Sequence, residues 1–191
     1  MAEILLFHHA HGLTVGVREF AAELQAAGHV VHAPDLYDGE TFADLSEGVA
    51  YAKQVGFDTV IERGVRAADH LPADLVYAGF SLGVGPAQKL AQTRPGARGA
   101  LFFSACLPVS EFGSWPAGVP AQIHIMEDDP WSQEGDLDAA RELARTVDGA
   151  ELFLYPGDRH LFADSSLPEY DAEAAAELKR RTREFLASLK T

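Results

Sequence analysis

The chain has 191 residues and a mass of 20.6 kDa, enough for one domain with a full hydrophobic core. Its formal net charge of -14 disfavours nucleic acid and anionic membrane surfaces as partners, because both would repel it. No window approaches the roughly 18 apolar residues of a membrane span, and the single cysteine, Cys106, can form no intrachain disulfide. We therefore expect a cytoplasmic protein, monomeric or a small homo-oligomer, with a small molecule as its partner.

Short apolar runs of strand length recur along the chain, and most are followed by glycine, proline or aspartate. Segments with helical patterns lie between them, and no low-complexity segment or linker divides the chain. Strands that alternate with helices predict an α/β fold, a single domain over residues 1–191 with a mainly parallel sheet and helices on both faces. The six predicted strands are Glu3–His8, His29–Ala33, Asp74–Phe80, Gly99–Ser104, Ala121–Met126 and Glu151–Tyr155.

The helical patterns are clearest near the two ends of the chain. The first predicted helix ends at Gly28, and residues 41–71 are long enough for more than one helix. The apolar faces are Val17, Phe20, Ala21 and Leu24 in the first helix, and Leu178, Thr182, Phe185 and Leu189 in the last.

The segment LVYAGFSLGVG contains a serine, Ser81, in the turn between a predicted strand and a predicted helix. A nucleophile in such a tight turn needs small residues two positions to either side, and Gly79 and Gly83 meet that need. The turn would place Ser81 at a helix N-terminus, where the amide of Leu82 could stabilise an oxyanion. A glycine-rich turn with an incidental serine is the alternative interpretation.

A nucleophilic serine requires a base, and the base requires an orienting carboxylate. In hydrolases with this turn the order along the chain is serine, acid, histidine. Three acids, Glu127, Asp128 and Asp129, follow the fifth predicted strand, and His160 follows the sixth. An acidic loop is often only solvated and a lone histidine is often structural, but chance seldom places all three types in this order at strand ends.

With these motifs the sequence resembles the dienelactone hydrolases of the α/β-hydrolase superfamily over nearly its whole length. The resembling segments are LLFHHAHGL, APDLYDG, GFSLG, HIMEDDPW and YPGDRHLF. The family's H-x-x-x-x-D-x-[FW] motif implies that Asp129 is the acid, and its Y-x-x-x-x-H-x-F motif matches Tyr155, His160 and Phe162. The resemblance implies a three-layer α/β-hydrolase fold with strand order 2-1-3-4-5-6 and no cap domain.

The sequence departs from this family in two respects. Dienelactone hydrolases proper have cysteine at the position of Ser81, and Cys106 is better explained as a core or rim residue after the fourth strand. The family binds a substrate carboxylate with a serine and an arginine where this chain has Leu161 and Asp164. An acidic group at that position would oppose an anionic substrate.

Three histidines lie close together in HHAHGL after the first strand. Matching to the family gives the second oxyanion amide to Ala10 and puts His9 where the family usually has glutamate. His9 or His11 could line the pocket, and His8 could be buried. A zinc site is the alternative, but alternate strand residues point to opposite faces and no cysteine or carboxylate completes a ligand set nearby.

We therefore predict a serine hydrolase acting on esters or thioesters of small, uncharged acyl groups, with no metal or organic cofactor. A catalytically silent small-ligand-binding protein on the same scaffold is the alternative, and a flavodoxin-like mononucleotide binder would explain the strands but not the serine, aspartate and histidine. Candidate pocket residues are His9, His11 and Leu161. Further candidates, each of which could equally belong to the core, are Tyr37, Phe80, Trp115 and Trp131.

Overall fold

The computed structural model describes residues 1–189 and contains one six-stranded sheet flanked by helices. Its strands are β1 Glu3–Phe7, β2 Val30–His32, β3 Val76–Phe80, β4 Gly99–Phe103, β5 Ala121–Met126 and β6 Ala150–Tyr155. Its helices are α1 Val15–Ala26, α2 Leu45–Val55, α3 Phe57–Ala67, α4 Val84–Thr93, α5 Asp136–Thr146 and α6 Ala172–Ser188.

The sheet has the strand order β2-β1-β3-β4-β5-β6, and each neighbouring pair is parallel. The predicted α/β class and strand order are therefore confirmed. The predicted strands differ from the observed ones by at most two residues at either end. The stretch 41–71 contains two helices, as its length indicated.

Helices cover both faces of the sheet and form two hydrophobic cores with it. On one face α1 and α6 pack against alternate strand residues such as Leu6, Ala78 and Phe103. On the other face α2, α3, α4 and α5 pack against the intervening positions, among them Phe7 and Phe102. This three-layer arrangement follows from the alternation of side chains along parallel strands that are buried on both faces.

In the described residues, side-chain caps start α1, α2 and α6. Thr14 accepts a hydrogen bond from the amide of Val17 at the start of α1, and Asp171 accepts one from Ala174 at the start of α6. In residues 1–189, no helix is both long enough and apolar enough to cross a membrane.

Candidate active site

Ser81 occupies the sharp turn between β3 and α4. β3 ends at Phe80, a single turn of 3-10 helix spans Ser81–Gly83, and α4 begins at Val84. The backbone φ of Ser81 is 48°, a left-handed conformation that is uncommon for a residue with a side chain. The strained turn places the hydroxyl at the carboxyl edge of the sheet, next to the N-terminus of α4.

The two glycines that flank this turn leave no room for side chains. A Cβ atom at Gly79 would lie 2.2 Å from the carbonyl oxygen of Gly83. A Cβ atom at Gly83 would lie 2.5 Å from the carbonyl oxygen of Phe7, where β1 ends. Both glycines are therefore required by close backbone packing, and Gly83 lets the turn approach the β1 loop.

Ser81, His160 and Asp129 form a hydrogen-bonded chain. The distance from Ser81 Oγ to His160 Nε2 is 2.7 Å, and that from His160 Nδ1 to Asp129 Oδ2 is 2.6 Å. Asp129 is fully buried, whereas Glu127 and Asp128 beside it are exposed. The structure thus brings together the serine, histidine and acid that the sequence analysis selected.

The pairing of β5 with β6 produces this geometry. Met126 is in register with Tyr155 in the parallel ladder. The Tyr155 hydroxyl lies 2.8 Å from His124 Nδ1. Five residues after each of these, Asp129 and His160 form the next contact between the two segments. In both sequence motifs the site residue follows the first residue by five positions. The first residues, His124 and Tyr155, therefore pair with each other, and Asp129 pairs with His160.

Asp129 is held by a tight turn that the sequence analysis missed. Its Oδ1 accepts a hydrogen bond from the amide of Trp131 at 3.0 Å, and its Oδ2 accepts one from the hydroxyl of the fully buried Ser132 at 2.6 Å. A turn in which an aspartate side chain accepts the amide N–H of the second residue after it is an Asx turn. The D-x-x-S pattern could have revealed this turn. Ser132 and His160 together fix the orientation of the carboxylate.

Ala10 and Leu82, the residues predicted to supply the two oxyanion amides, lie on segments that approach each other. Leu82 directly follows Ser81, and Ala10 lies in the buried loop after β1, which the turn at Gly83 approaches. Within residues 1–189 the amide N–H of Ala10 has no hydrogen-bond acceptor. A buried N–H without a partner is unusual, which makes the Ala10 amide a candidate oxyanion donor.

His9 is fully buried and has two structural hydrogen-bond partners. Its Nε2 lies 2.7 Å from Asp164 Oδ2, and its Nδ1 accepts the amide N–H of His11 at 3.3 Å. Burial lowers the pKa of His9, and the neutral ring with its proton on Nε2 satisfies both contacts. His9 therefore donates to the Asp164 carboxylate.

His8 and His11 also have structural partners. His8 accepts the amide N–H of Leu36 at its Nε2, and burial lowers its pKa to about 4. His11 Nδ1 lies 2.8 Å from the carbonyl oxygen of Phe42. The described part of the chain contains no group of three or more histidine, cysteine, aspartate or glutamate side chains arranged to hold a metal ion.

Asp164 does not lie where a substrate would meet it, which corrects the sequence interpretation. Its side chain is 1% exposed and binds His9 and the Thr14 hydroxyl through Oδ2, while Ser166 donates to Oδ1. These hydrogen bonds depress the pKa of Asp164 well below its usual range despite its burial. Asp164 therefore connects the β1 loop to the loop that carries His160.

A cavity of about 300 Å³ opens beside Ser81 and His160. Its wall is mainly apolar, and Phe57 and Trp131 at its edge are nearly half exposed. The Trp131 ring lies 5.9 Å from that of His160, measured between centroids. The larger apolar residues of the wall are Phe57, Ile61, Leu82, Val84, Leu107 and Trp131.

Asp136, the first residue of α5, also lines this cavity and was missed by the sequence analysis. Its Oδ1 accepts the amide N–H of Cys106 at 2.9 Å. Burial raises the pKa of Asp136, and the nearby Asp129 raises it further, while the Cys106 amide and His160 oppose the shift. Acids are common in the first turn of a helix, so the sequence carries no signal that Asp136 faces a cavity.

Several predicted pocket residues lie elsewhere. Tyr37 and Phe80 are buried in the two cores, Phe80 against Phe20 and Phe103, because its position before Ser81 directs its ring to the opposite face of the sheet. His9 and His11 do not contribute to the cavity wall, and Trp115 donates to the carbonyl of Val119 at another surface. Trp131 lines the cavity as predicted, and Leu161 lines a neighbouring one of about 280 Å³.

Cys106 is buried behind the cavity. It is 1% exposed, and burial, with a smaller contribution from Asp136, raises the pKa of its thiol to about 12. A thiol that stays protonated is a poor nucleophile, so the fold offers Ser81 rather than Cys106 for that role.

Solved structures with the same fold include hydrolases. A Klebsiella pneumoniae protein assigned as a dienelactone hydrolase has a TM-score of 0.75 at 19% identity, covering 98% of this chain and 87% of its own. A dienelactone hydrolase-like promiscuous phosphotriesterase from metagenomic libraries has a TM-score of 0.74 at 20% identity, covering 99% and 87%. A thermophilic esterase from Thermogutta terrifontis has a TM-score of 0.61 at 18% identity, covering 97% and 82%.

The family assignment comes from the sequence model of the dienelactone hydrolase family, which matches residues 1–189. Comparison with curated protein sequences gave no match. Since the family model spans nearly the whole chain, this protein belongs to the dienelactone hydrolase family and is a hydrolase.

Proposed function

We propose that the protein is a serine hydrolase that cleaves esters or thioesters of small acyl groups. The observation that carries the proposal is the hydrogen-bonded chain from Ser81 through His160 to Asp129, in which the serine occupies a strained turn. Nucleophile, base and orienting acid in these positions are what acyl transfer requires.

In the proposed reaction Ser81 Oγ attacks the carbonyl carbon and His160 Nε2 takes the hydroxyl proton. Asp129 accepts from Nδ1–H, keeps the imidazole in the useful tautomer and stabilises the imidazolium. The amides of Leu82 and Ala10 stabilise the negative oxygen of the tetrahedral intermediate. His160 then returns the proton to the departing alcohol or thiol, which leaves an acyl group on Ser81.

Water completes the cycle by the same chemistry. His160 removes a proton from water, the hydroxide attacks the acyl carbon, and the second tetrahedral intermediate collapses as Ser81 recovers its proton. The cavity of about 300 Å³ is at the small end of ligand pockets, which supports a short acyl group rather than a long chain.

A fluorophosphonate probe, which reacts with activated serines, tests this proposal together with p-nitrophenyl acetate and butyrate. We expect wild-type protein to be labelled and active, and Ser81→Ala to lose both labelling and turnover while remaining folded by circular dichroism. The matched control is Ser114→Ala at an exposed serine, which should behave as wild type. Iodoacetamide should inhibit little, because the Cys106 thiol is buried and protonated.

Turnover by Ser81→Ala equal to that of wild type would overturn the serine mechanism. Wild-type protein that is neither labelled nor active on a panel of esters and thioesters would instead favour a silent ligand-binding protein on this fold.

A further inference from the structure

The active-site cavity contains one side chain that a simple acyl pocket does not need. The polar residues around the cavity are Ser81, His160 and Asp136, and the other described residues of its wall are apolar or small. A carboxylate placed in a small apolar cavity is costly unless something compensates it. Its position is therefore more informative than that of an acid on the surface.

The protein compensates Asp136 only in part. Its Oδ1 accepts the Cys106 amide, but no lysine or arginine forms an ion pair with it anywhere in residues 1–189. By contrast Asp138, two residues later on the same helix, is exposed and lies 3.4 Å from an Arg141 nitrogen. Asp136 thus presents a negative charge to the cavity, and no lysine or arginine of the described chain neutralises it.

The remainder of the site reinforces this polarity. Within residues 1–189 no lysine or arginine lines the cavity, and the chain as a whole carries a net charge of -14. A cavity of one sign in a protein of the same sign attracts cations and repels anions. A substrate cation would supply the partner that Asp136 lacks.

We propose that Asp136 is a specificity-determining residue that selects esters or thioesters bearing an ammonium group a few bonds from the reacting carbonyl. This inference rests on the proposed function, since it concerns the substrate of the same site. Apolar walls contact the methylene groups of such a substrate, and Asp136 pairs with its nitrogen. The same carboxylate disfavours substrates with a free carboxylate.

Two pairs of substrates of matched shape test the proposal. The p-nitrophenyl esters of β-alanine and butyric acid differ by an ammonium for a methyl group in the acyl part. Acetylthiocholine and neohexyl thioacetate differ by a trimethylammonium for a tert-butyl group in the leaving group. For each pair the readout is the ratio of kcat/KM for the cationic to the neutral substrate, from which any general effect on catalysis cancels.

We expect the ratio to fall about tenfold or more in Asp136→Asn for at least one pair, which identifies the side of the ester that meets the carboxylate. Asparagine retains an acceptor for the Cys106 amide, and any general loss of turnover in this variant affects both substrates of a pair and leaves their ratio unchanged. The matched control Asp138→Asn removes the same charge from the same turn and should leave both ratios unchanged.

Ratios that stay unchanged in Asp136→Asn for both pairs would overturn the specificity role while leaving the hydrolase proposal intact. An equal fall in Asp138→Asn would also overturn it, since the effect would then come from overall charge. Wild-type protein that hydrolyses none of the four substrates would instead count against the proposed function itself.

Discussion

His9 Nε2 lies 2.7 Å from Asp164 Oδ2, so a buried hydrogen bond joins the loop after β1 to the loop after β6. His9 directly precedes Ala10, whose amide has no acceptor within residues 1–189, and Asp164 follows His160 by four positions. The bond therefore fixes the two loops that would supply the oxyanion amide and the base relative to each other.

Breaking this bond should impair both folding and catalysis. In Asp164→Asn the new amide would present a donor to His9 Nε2–H or to one of its other donors, so we expect a loss of about 1–3 kcal/mol in the free energy of unfolding. We also expect kcat to fall several-fold with little change in KM, since the Ala10 amide would shift. Urea denaturation and ester kinetics measure the two effects.

The matched control for this prediction is Asp148→Asn, at an exposed site before β6, which should behave as wild type. An unchanged kcat in Asp164→Asn would contradict the positioning role.

Gly16 in α1 packs so closely against the Asp164 carboxylate that a larger residue has no room. A Cβ atom at this position would lie 1.7 Å from Asp164 Oδ1. Glycine to alanine inside a helix normally stabilises by up to about 1 kcal/mol, but here we expect Gly16→Ala to destabilise by more than that amount. In the control Gly85→Ala, the new Cβ would lie 3.0 Å from an Ile61 side-chain atom that can move, so its loss should be smaller. A thermal midpoint for Gly16→Ala at or above that of wild type would refute the expectation.

Asp128 and Asp129 are adjacent acids that should respond differently to the same substitution. Asp129 is fully buried and bonded to His160, and loss of the orienting acid in triads of this type costs as much as roughly 10⁴-fold in kcat. Asp129→Asn should therefore lower kcat by about two to four orders of magnitude. Asp128→Asn at the exposed neighbour should change it by less than about tenfold. Kinetics at saturating ester, with circular dichroism as the folding control, decide between them, and the reverse ranking would move the acid to Asp128.

Three buried histidines should make the fold sensitive to mild acid. Burial lowers the pKa of His8 to about 4 and that of His124 to about 3, and it also lowers the pKa of His9. Because each pKa is lower in the folded state than the ordinary value of about 6.5, the unfolded chain binds more protons as the pH falls below that value. The free energy of unfolding should therefore be highest above about pH 6.5 as far as these histidines determine it. It should decline toward pH 4 by roughly 1.4 kcal/mol per pH unit for each histidine.

The raised pKa of Asp136 has the opposite effect and increases the free energy of unfolding as the pH falls. It is one group, however, and the three histidines outweigh it. Urea unfolding at several values between pH 7.5 and pH 4.5 measures the slope. The variant His124→Gln, although less stable, should show a slope smaller by about one proton. Equal free energies of unfolding at pH 7 and pH 5 would contradict the prediction.

The fold and the three residues of the hydrogen-bonded chain could be predicted because their signals are local. Strand-length apolar runs alternate with helical periods, and Gly79 and Gly83 flank Ser81 at the distances that a tight turn demands. The equal five-residue spacing from His124 to Asp129 and from Tyr155 to His160 transfers the register of β5 and β6 to the site. Resemblance to the family then selected Asp129 from its acidic neighbours.

Only the tertiary structure decided which other polar residues face a substrate. Asp164 and Asp136 are both acids near predicted site loops, yet the first is enclosed by His9, Thr14 and Ser166 and the second lines the cavity. Phe80 is adjacent to Ser81 but turns into the opposite core. The physical reason is that local sequence specifies backbone conformation and periodicity, whereas the environment of a side chain depends on which distant segments pack around it. His9 meets Asp164 across 155 positions of the chain, and no pattern within either segment encodes that contact.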